Sequence, residues 1–307
     1  MAIPTSSVVF SFYRPASVLK IQGEDAFSFL QGQLTQDLKP CLNGPEVAYG
    51  LFLTHKGKVQ GDGFVMKRGE EWICVSLFSE AARLKMHLEA FVIADDVRIL
   101  DETALWQGAT VIGENAEAML ADAGLRVESG KWVEGDRGFV FAGRRSGQPA
   151  WEFLYPLSGD ALPERLRQAG AQEISPSELE RLRVLGGIPR IPKDLGPEDL
   201  PNEGGLDEIA VSYTKGCYIG QEVMARLKSM GQVRRRLARV EGASPLPAEL
   251  PAALFADGKR VGELRSAVAR ENGFVGLAMI SLLGMTGTRF LSFSPEGELS
   301  TVVSHEG

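Results

Sequence analysis

The sequence predicts an α+β protein with a small β-barrel at its C-terminal end. Three observations carry this. Strand-like and helical apolar patterns alternate through the first two thirds of the chain. A sharp helix start stands at Ser175–Glu178. After Gly231 the pattern turns almost wholly strand-like. At 307 residues the chain is long for one core, so more than one domain is expected. The shift near Gly231 sets the expected division at 1–231 and 232–307.

In order, "SVLKIQG" reads as a strand, and "EDAFSFLQGQLTQDL" as a helix with Phe27, Leu30 and Leu34 at helical spacing. "VAYGLFLTHKGKVQGDGFVMKRGEEWICVSLF" reads as successive strands with hairpins at "HKGK" and "KRGEE". "SEAARLKMHLEAFVI" is a helix with Ser79 as its candidate N-cap. "DDVRILDETALWQGATVIG" returns to strand, and "FVFAGRR" and "AWEFLYP" form a pair. In "ISPSELERLRVLGG", Ser175 and Glu178 make a capping box, Pro176 takes the first helical position, and Ile174 can staple onto Leu179. A long irregular stretch follows, punctuated by Pro189, Pro192, Pro197 and Pro201. "IGQEVMARLKSM" resumes helical spacing. "QVRRRLARVEG", "LFADGKRVGELRS" and "GFVGLAMI" then alternate like barrel strands.

Composition narrows the functional classes. Hydrophobic residues make up 44% and charged residues 24%, a soluble globular balance. The net charge of −7 argues against a surface coated in nucleic-acid contacts. Cys41, Cys74 and Cys217 are few, odd in number and far apart, so no disulfide framework is implied and a reducing compartment fits. No CxxC pair occurs, so no metal site is expected. The N-terminus lacks the pattern of a signal peptide, and no apolar run reaches membrane-spanning length. A cytoplasmic protein with no membrane partner is expected.

The most specific stretch is "KGCYIGQE", Lys215–Glu222. Cys217 would gain thiolate character from Lys215 and from a helix starting just after it. A general base would complete a catalytic cysteine, but His55, His87 and His305 stand in no nucleophile motif. The residues alone leave a buried inert cysteine and a functional one both open. Gly216 and Gly220 would let the backbone take positive φ and approach a ligand, or simply make a turn. Arg226, Lys228, Arg234, Arg235, Arg236 and Arg239 form a basic run, read either as a solvated face or as a contact for folate carboxylates or RNA phosphates.

This octapeptide, with "PNEGGLDEIAVSYT" before it and "VMARLKSMGQVRRRL" after it, resembles the YgfZ-type folate-binding family of iron–sulfur maturation and tRNA-modification factors. That family is itself similar to the aminomethyltransferase, or T-protein, of the glycine cleavage system. "IQGEDAFSFLQGQLTQDL", "GLFLTHKGKVQGDGFVMK", "AWEFLYP", "ERLRVLGGIPRI" and "GFVGLAMI" extend the resemblance over most of the chain. It implies a T-protein-like folate domain of two entwined subdomains with a C-terminal barrel, and tetrahydrofolate in a central cleft. It implies Cys217 as the reactive thiol. It further implies folate-site roles for Asp62, Glu152, Arg183, Lys215, Gly216, Tyr218, Gly220, Gln221 and Glu222. Glu152 matches the T-protein carboxylate that faces the pterin, and Arg183 an arginine near the folate. From the residues alone, a solvated strand glutamate at Glu152 and a surface charge on an amphipathic helix at Arg183 remain open as the alternatives.

T-proteins carry adjacent aspartates where this chain reads Gly61-Asp62, which weighs against true aminomethyl transfer. The expected function is therefore a tetrahydrofolate-binding accessory factor for iron–sulfur protein assembly or repair, with one-carbon chemistry left open. Iron–sulfur client or assembly proteins are its expected partners. The alternatives are a folate-dependent aminomethyltransferase and a non-enzymatic tRNA-binding module using Arg234, Arg235 and Arg236.

Overall fold

The structure, a computed structural model, describes residues 7–124, 127–135, 138–157, 161–231, 233–243, 245–285 and 290–303. His305 and Gln232 lie outside the described residues. Strand β1 (Val9–Tyr13) begins one sheet, and the chain then leaves it to build another. That second sheet holds β2 (Ser17–Gln22), β3 (Val47–Leu53), β4 (Val59–Arg68), β5 (Glu71–Ser76) and β6 (Arg98–Asp101), in the order β3-β4-β5-β2-β6. Helices α1 (Ala26–Gln33) and α2 (Ala81–Glu89) are interposed. β7 (Trp106–Ile112) returns to β1, followed by α3 (Ala116–Asp122), β8 (Trp132–Gly135), β9 (Gly138–Ala142), β10 (Ala150–Pro156), α4 (Ala161–Gln168) and β11 (Gln172–Glu173). The first sheet thus runs β11-β1-β7-β10-β9-β8. Because β1 belongs to a sheet completed only after β6, the two halves are entwined.

Alternation along the strands explains how the sheets stack. Val18, Phe64, Met66, Ile73 and Val75 of one sheet meet Trp106, Phe139, Phe141 and Leu154 of the other in a shared core. The outer face of the second sheet is covered by α1 and α2 through Phe29, Leu30, Leu84 and Leu88. The outer face of the first is covered by α3 and α4 through Ala116, Leu120 and Leu166. Four layers result, helix–sheet–sheet–helix.

Helix α5 (Pro176–Leu185) has the anticipated capping box: Ser175 Oγ accepts from Glu178 N, and the Glu178 carboxylate accepts from Ser175 N. Ile174 and Leu179 share one cluster, as the staple requires. The proline-rich stretch then crosses the second sheet. It passes through α6 (Asp207–Ala210) into α7 (Gln221–Met230), with Ile191, Leu195, Leu206 and Met224 packing on Leu51, Leu53 and Val59. The C-terminal unit holds β12 (Arg235–Gly242), β13 (Ala252–Ala256), β14 (Lys259–Arg270), β15 (Gly273–Ser281), β16 (Phe290–Leu291) and β17 (Thr301–Val303). They run antiparallel in the order β13-β14-β15-β12-β17-β16, and a Phe255–Ser292 bridge nearly closes the barrel.

Two local expectations are corrected. Ser79 does not cap α2, whose N-cap is Glu80 without a side-chain bond. Ser79 Oγ donates instead to Asp62 Oδ1 at 2.7 Å, a charge-assisted bond that outcompetes a cap. Helix α1 ends at Gln33, so Leu34 is its C-cap and bridges Phe52 of β3.

Candidate functional site

The strand faces that pack the two sheets together also carry the two carboxylates singled out in the sequence. Asp62 lies on the side of β4 that carries Phe64 and Met66, and Glu152 on the side of β10 that carries Leu154. Both therefore face the layer between the sheets. Each is already occupied by neighbours. Asp62 accepts from Tyr49 Oη (3.0 Å), Ser76 Oγ (2.8 Å) and Ser79 Oγ (2.7 Å). Glu152 is fully buried, accepts from Thr110 Oγ1 (3.2 Å), and is ion-paired to Arg145 at 3.4 Å. Burial pushes its carboxyl above the usual range, while Arg145 pulls the other way. At Gly61, the neighbour of Asp62 in β4, an added Cβ would stand 3.1 Å from Leu84 Cδ1 and 3.5 Å from Ser79 Oγ.

Arg145 sits where sequence reasoning expected Glu152 to be. Its guanidinium lies 3.8 Å over the Tyr13 ring and 5.2 Å from the Phe78 ring. It walls two cavities that share Phe78, Arg145 and Arg190. The outer, about 590 Å³, is also lined by Arg14, Leu77, Glu80, Arg83, Ile191 and Lys193. The inner, about 140 Å³, is also lined by Phe12, Tyr13, Leu179, Glu180 and Arg183. Together they make a cleft bordered by the start of the first sheet, the segment after β5, and α5 with its following loop. Glu152 and Asp62 line neither cavity; they hold Arg145 and the Ser76–Ser79 segment in place.

Arg183 is in this cleft but is not a surface charge. It is 1% exposed, and its guanidinium donates to Glu180 Oε1 (2.8 Å), Glu180 Oε2 (2.9 Å), Asp194 Oδ2 (2.7 Å) and the Ile188 carbonyl. Arg190 Nη2 donates to Glu180 Oε2 at 2.9 Å. Sequence reasoning missed Arg145, Phe78, Arg190 and Lys193. The available signal was Arg145 standing seven residues before Glu152 at the foot of the paired strands β9 and β10, a hairpin spacing that lets the two side chains meet.

The octapeptide lies elsewhere and lines neither of these cavities. Cys217 is exposed, whereas Cys41 and Cys74 are buried. Burial pushes the Cys41 thiol up to about 11 and raises that of Cys74 as well. The expected help from Lys215 is corrected. Its ammonium is buried and donates all three protons to carbonyls at the end of α1, those of Gln31 (2.7 Å), Leu34 (2.7 Å) and Gln36 (2.9 Å). That burial lowers its pKa to about 8. Helix α7 begins at Gln221 with Gly220 as N-cap, so Cys217 is outside its first turn.

The glycines divide. Gly220 has φ +85°, and a Cβ there would lie 2.9 Å from the Thr54 carbonyl. Gly216 is not among the positive-φ glycines, and a Cβ there would meet nothing within 4 Å. Tyr218 is buried among Leu51, Leu53 and Met224, and burial pushes its hydroxyl up to about 12. Gln221 is half-buried and Glu222 exposed. The segment is therefore a tightly docked loop that presents one thiol to solvent.

The basic run also divides. Arg235 is tied to Glu203 Oε2 (2.9 Å) and Asp199 Oδ1 (3.1 Å), so its reading as a phosphate contact is corrected. Arg234 and Arg236, on the other side of the strand start, are exposed. No helix among the described residues is long and apolar enough to cross a membrane. Among the described residues no group of three or more His, Cys, Asp or Glu could hold a metal ion.

Entwined sheets with a central cleft and a trailing antiparallel barrel define a T-protein-like fold. The GCVT N-terminal domain model matches residues 14–215, and the CAF17 C-terminal beta-barrel model matches residues 234–297. The chain belongs to this family of GCVT-like proteins with a CAF17-type barrel and is homologous to IBA57 and YgfZ. It is 31% identical over 300 residues to the human mitochondrial iron-sulfur cluster assembly factor IBA57, covering 90% of this chain and 79% of that one. It is 26% identical over 244 residues to the tRNA-modifying protein YgfZ of Vibrio vulnificus (strain YJ016), covering 74% and 68%. The crystal structure of glycine cleavage system aminomethyltransferase T from Bartonella henselae shares the fold, with a TM-score of 0.81 at 17% identity, covering 98% and 86%.

Proposed function

We propose that the protein is a tetrahydrofolate-binding accessory factor for iron–sulfur protein assembly or repair, acting indirectly on tRNA modification. The observation that carries this reading is the separation of two features: a cleft with an aromatic face and guanidinium donors, and an exposed thiol on a rigidly docked loop. In the cleft, Phe78 offers a face to a planar ring, and Arg145 and Arg190 offer N–H donors to its acceptors or to carboxylates. Glu152 acts through Arg145, Asp62 through Ser76 and Ser79, and Arg183 through Glu180. Lys215, Gly216, Tyr218, Gly220, Gln221 and Glu222 carry Cys217 and are not folate contacts. The names of the IBA57 and YgfZ relatives support the iron–sulfur and tRNA parts of the reading. An exposed unpaired thiol suits a reducing compartment such as the cytoplasm.

Aminomethyl transfer is disfavoured by the single Asp62, whose oxygens are taken by three hydroxyl groups. A tRNA-binding module is disfavoured by the engagement of Arg235. The test is complementation of a strain lacking the gene. Cys217→Ala folds as wild type and fails to restore iron–sulfur enzyme activity; full rescue by the variant overturns the role of the thiol.

A further inference from the structure

We infer that the inner cavity is a subsite for a small oxoanion, a carboxylate or phosphate group, held by Arg145 and Arg190. The argument starts from donors without acceptors. Arg145 is 6% exposed; its Nε reaches Glu152 and its guanidinium packs over the Tyr13 ring, but its buried Nη2 has no hydrogen-bond acceptor among the described residues. Arg190 uses Nη2 on Glu180, and its buried Nε likewise has no hydrogen-bond acceptor among the described residues. Both side chains wall the inner cavity and stand on the same ring, each with Cζ 5.2 Å from the Phe78 centroid. A guanidinium N–H buried without an acceptor has lost its water and gained nothing in exchange, so two around one small cavity point to an acceptor that enters it.

Charge gives the sign of that acceptor. Arg14, Arg83, Arg145, Arg183, Arg190 and Lys193 line the joined cavities against Glu80 and Glu180. Glu152 and Asp194, which pair with Arg145 and Arg183, line neither cavity. Even with those two counted, positive charge is in excess, in a chain whose net charge is −7. Guanidinium groups bind carboxylate and phosphate oxygens through paired N–H bonds, and a partly dry pocket strengthens such bonds. The position where a free carboxylate would accept N–H groups from a ring edge is thereby reversed. Glu152 is neutralised by Arg145, and the group that lines the cavity is a donor. Such a subsite deepens the proposed folate reading, in which Arg145 and Arg190 already face the ligand, and it rests on that reading only for the source of the anion, because inorganic phosphate can occupy it with no folate present.

The test is calorimetric titration of inorganic phosphate into the full-length protein. Saturable binding is expected, weakened about tenfold or more by Arg190→Gln. Arg145→Gln alone would leave Glu152 unpaired in the interior and could unfold the chain. Arg145→Met with Glu152→Leu removes both charges together and keeps the volume. This pair is expected to retain a cooperative unfolding transition and to lose phosphate binding. Competition then identifies the natural source of the anion. Displacement of phosphate by tetrahydrofolate but not by tetrahydropteroate, which lacks the glutamate, assigns the site to the carboxylate of a bound folate. Displacement by neither assigns it to a free anion. No saturable phosphate binding to the wild type, or equal binding by all variants, overturns the inference.

Discussion

Replacing Gly220 with alanine tests how the octapeptide is held. Gly220 caps α7 at φ +85°, where a side chain adds about 1 kcal/mol of backbone strain. Its Cβ would also lie 2.9 Å from the Thr54 carbonyl oxygen, 3.2 Å from Gly57 Cα and 3.3 Å from Leu53 Cβ. Two of these are backbone atoms of the β3–β4 hairpin and cannot swing aside, so overpacking adds about 1–3 kcal/mol. The expected loss is about 2–4 kcal/mol, a large share of the 5–15 kcal/mol typical of a folded domain. Gly216→Ala is the internal control, since its Cβ would meet nothing within 4 Å, and a change below about 0.5 kcal/mol is expected. Urea unfolding of both variants measures the difference, read as a shift in midpoint at constant slope. If Gly220→Ala is no less stable than Gly216→Ala, the octapeptide is not docked on the hairpin, and the account of how Cys217 is presented fails.

Two further outcomes follow. Arg183→Met strands the buried Asp194 and half-buried Glu180, so a loss of about 3–5 kcal/mol is expected in urea unfolding, partly restored by adding Asp194→Leu. Unchanged stability with weakened folate binding would instead make Arg183 a direct ligand contact. Burial, helped by Arg83, holds His87 below the ordinary imidazole value, so the unfolded chain takes up a proton there that the folded one refuses. Stability is therefore lost as pH falls through about 6.5 towards the lowered value, and His87→Gln is expected to blunt that loss between about pH 7.5 and pH 5.5. An identical pH profile in the variant would contradict it.

Local chemistry made much of the fold legible. The capping box at Ser175 and Glu178, the hairpins at Gly57 and Gly69, and the β9–β10 pair each depend on residues a few positions apart. What was not legible depends on long-range choice of partner. Lys215 stands two residues from Cys217 in the chain, yet its ammonium goes to carbonyls some 180 residues earlier, because the end of α1 leaves them without donors. Ser79 is as good a cap as many serines until Asp62, seventeen residues away, claims its hydroxyl. The resemblance marks Glu152 as a folate-site carboxylate, but only the fold shows that it is fully buried and that Arg145 stands between it and the cleft. Arg235 and Arg236 are neighbours in a basic run, and strand alternation sends one to Asp199 and Glu203 and the other to solvent.

The central claim is that the cleft around Phe78 and Arg145 binds tetrahydrofolate. Its most direct test is titration of tetrahydrofolate into the purified protein by calorimetry, beside Phe78→Ala. The account predicts saturable binding at one site per chain, weakened about tenfold when the Phe78 ring is removed. Absence of binding to the wild type, or affinity unchanged in Phe78→Ala, would contradict it.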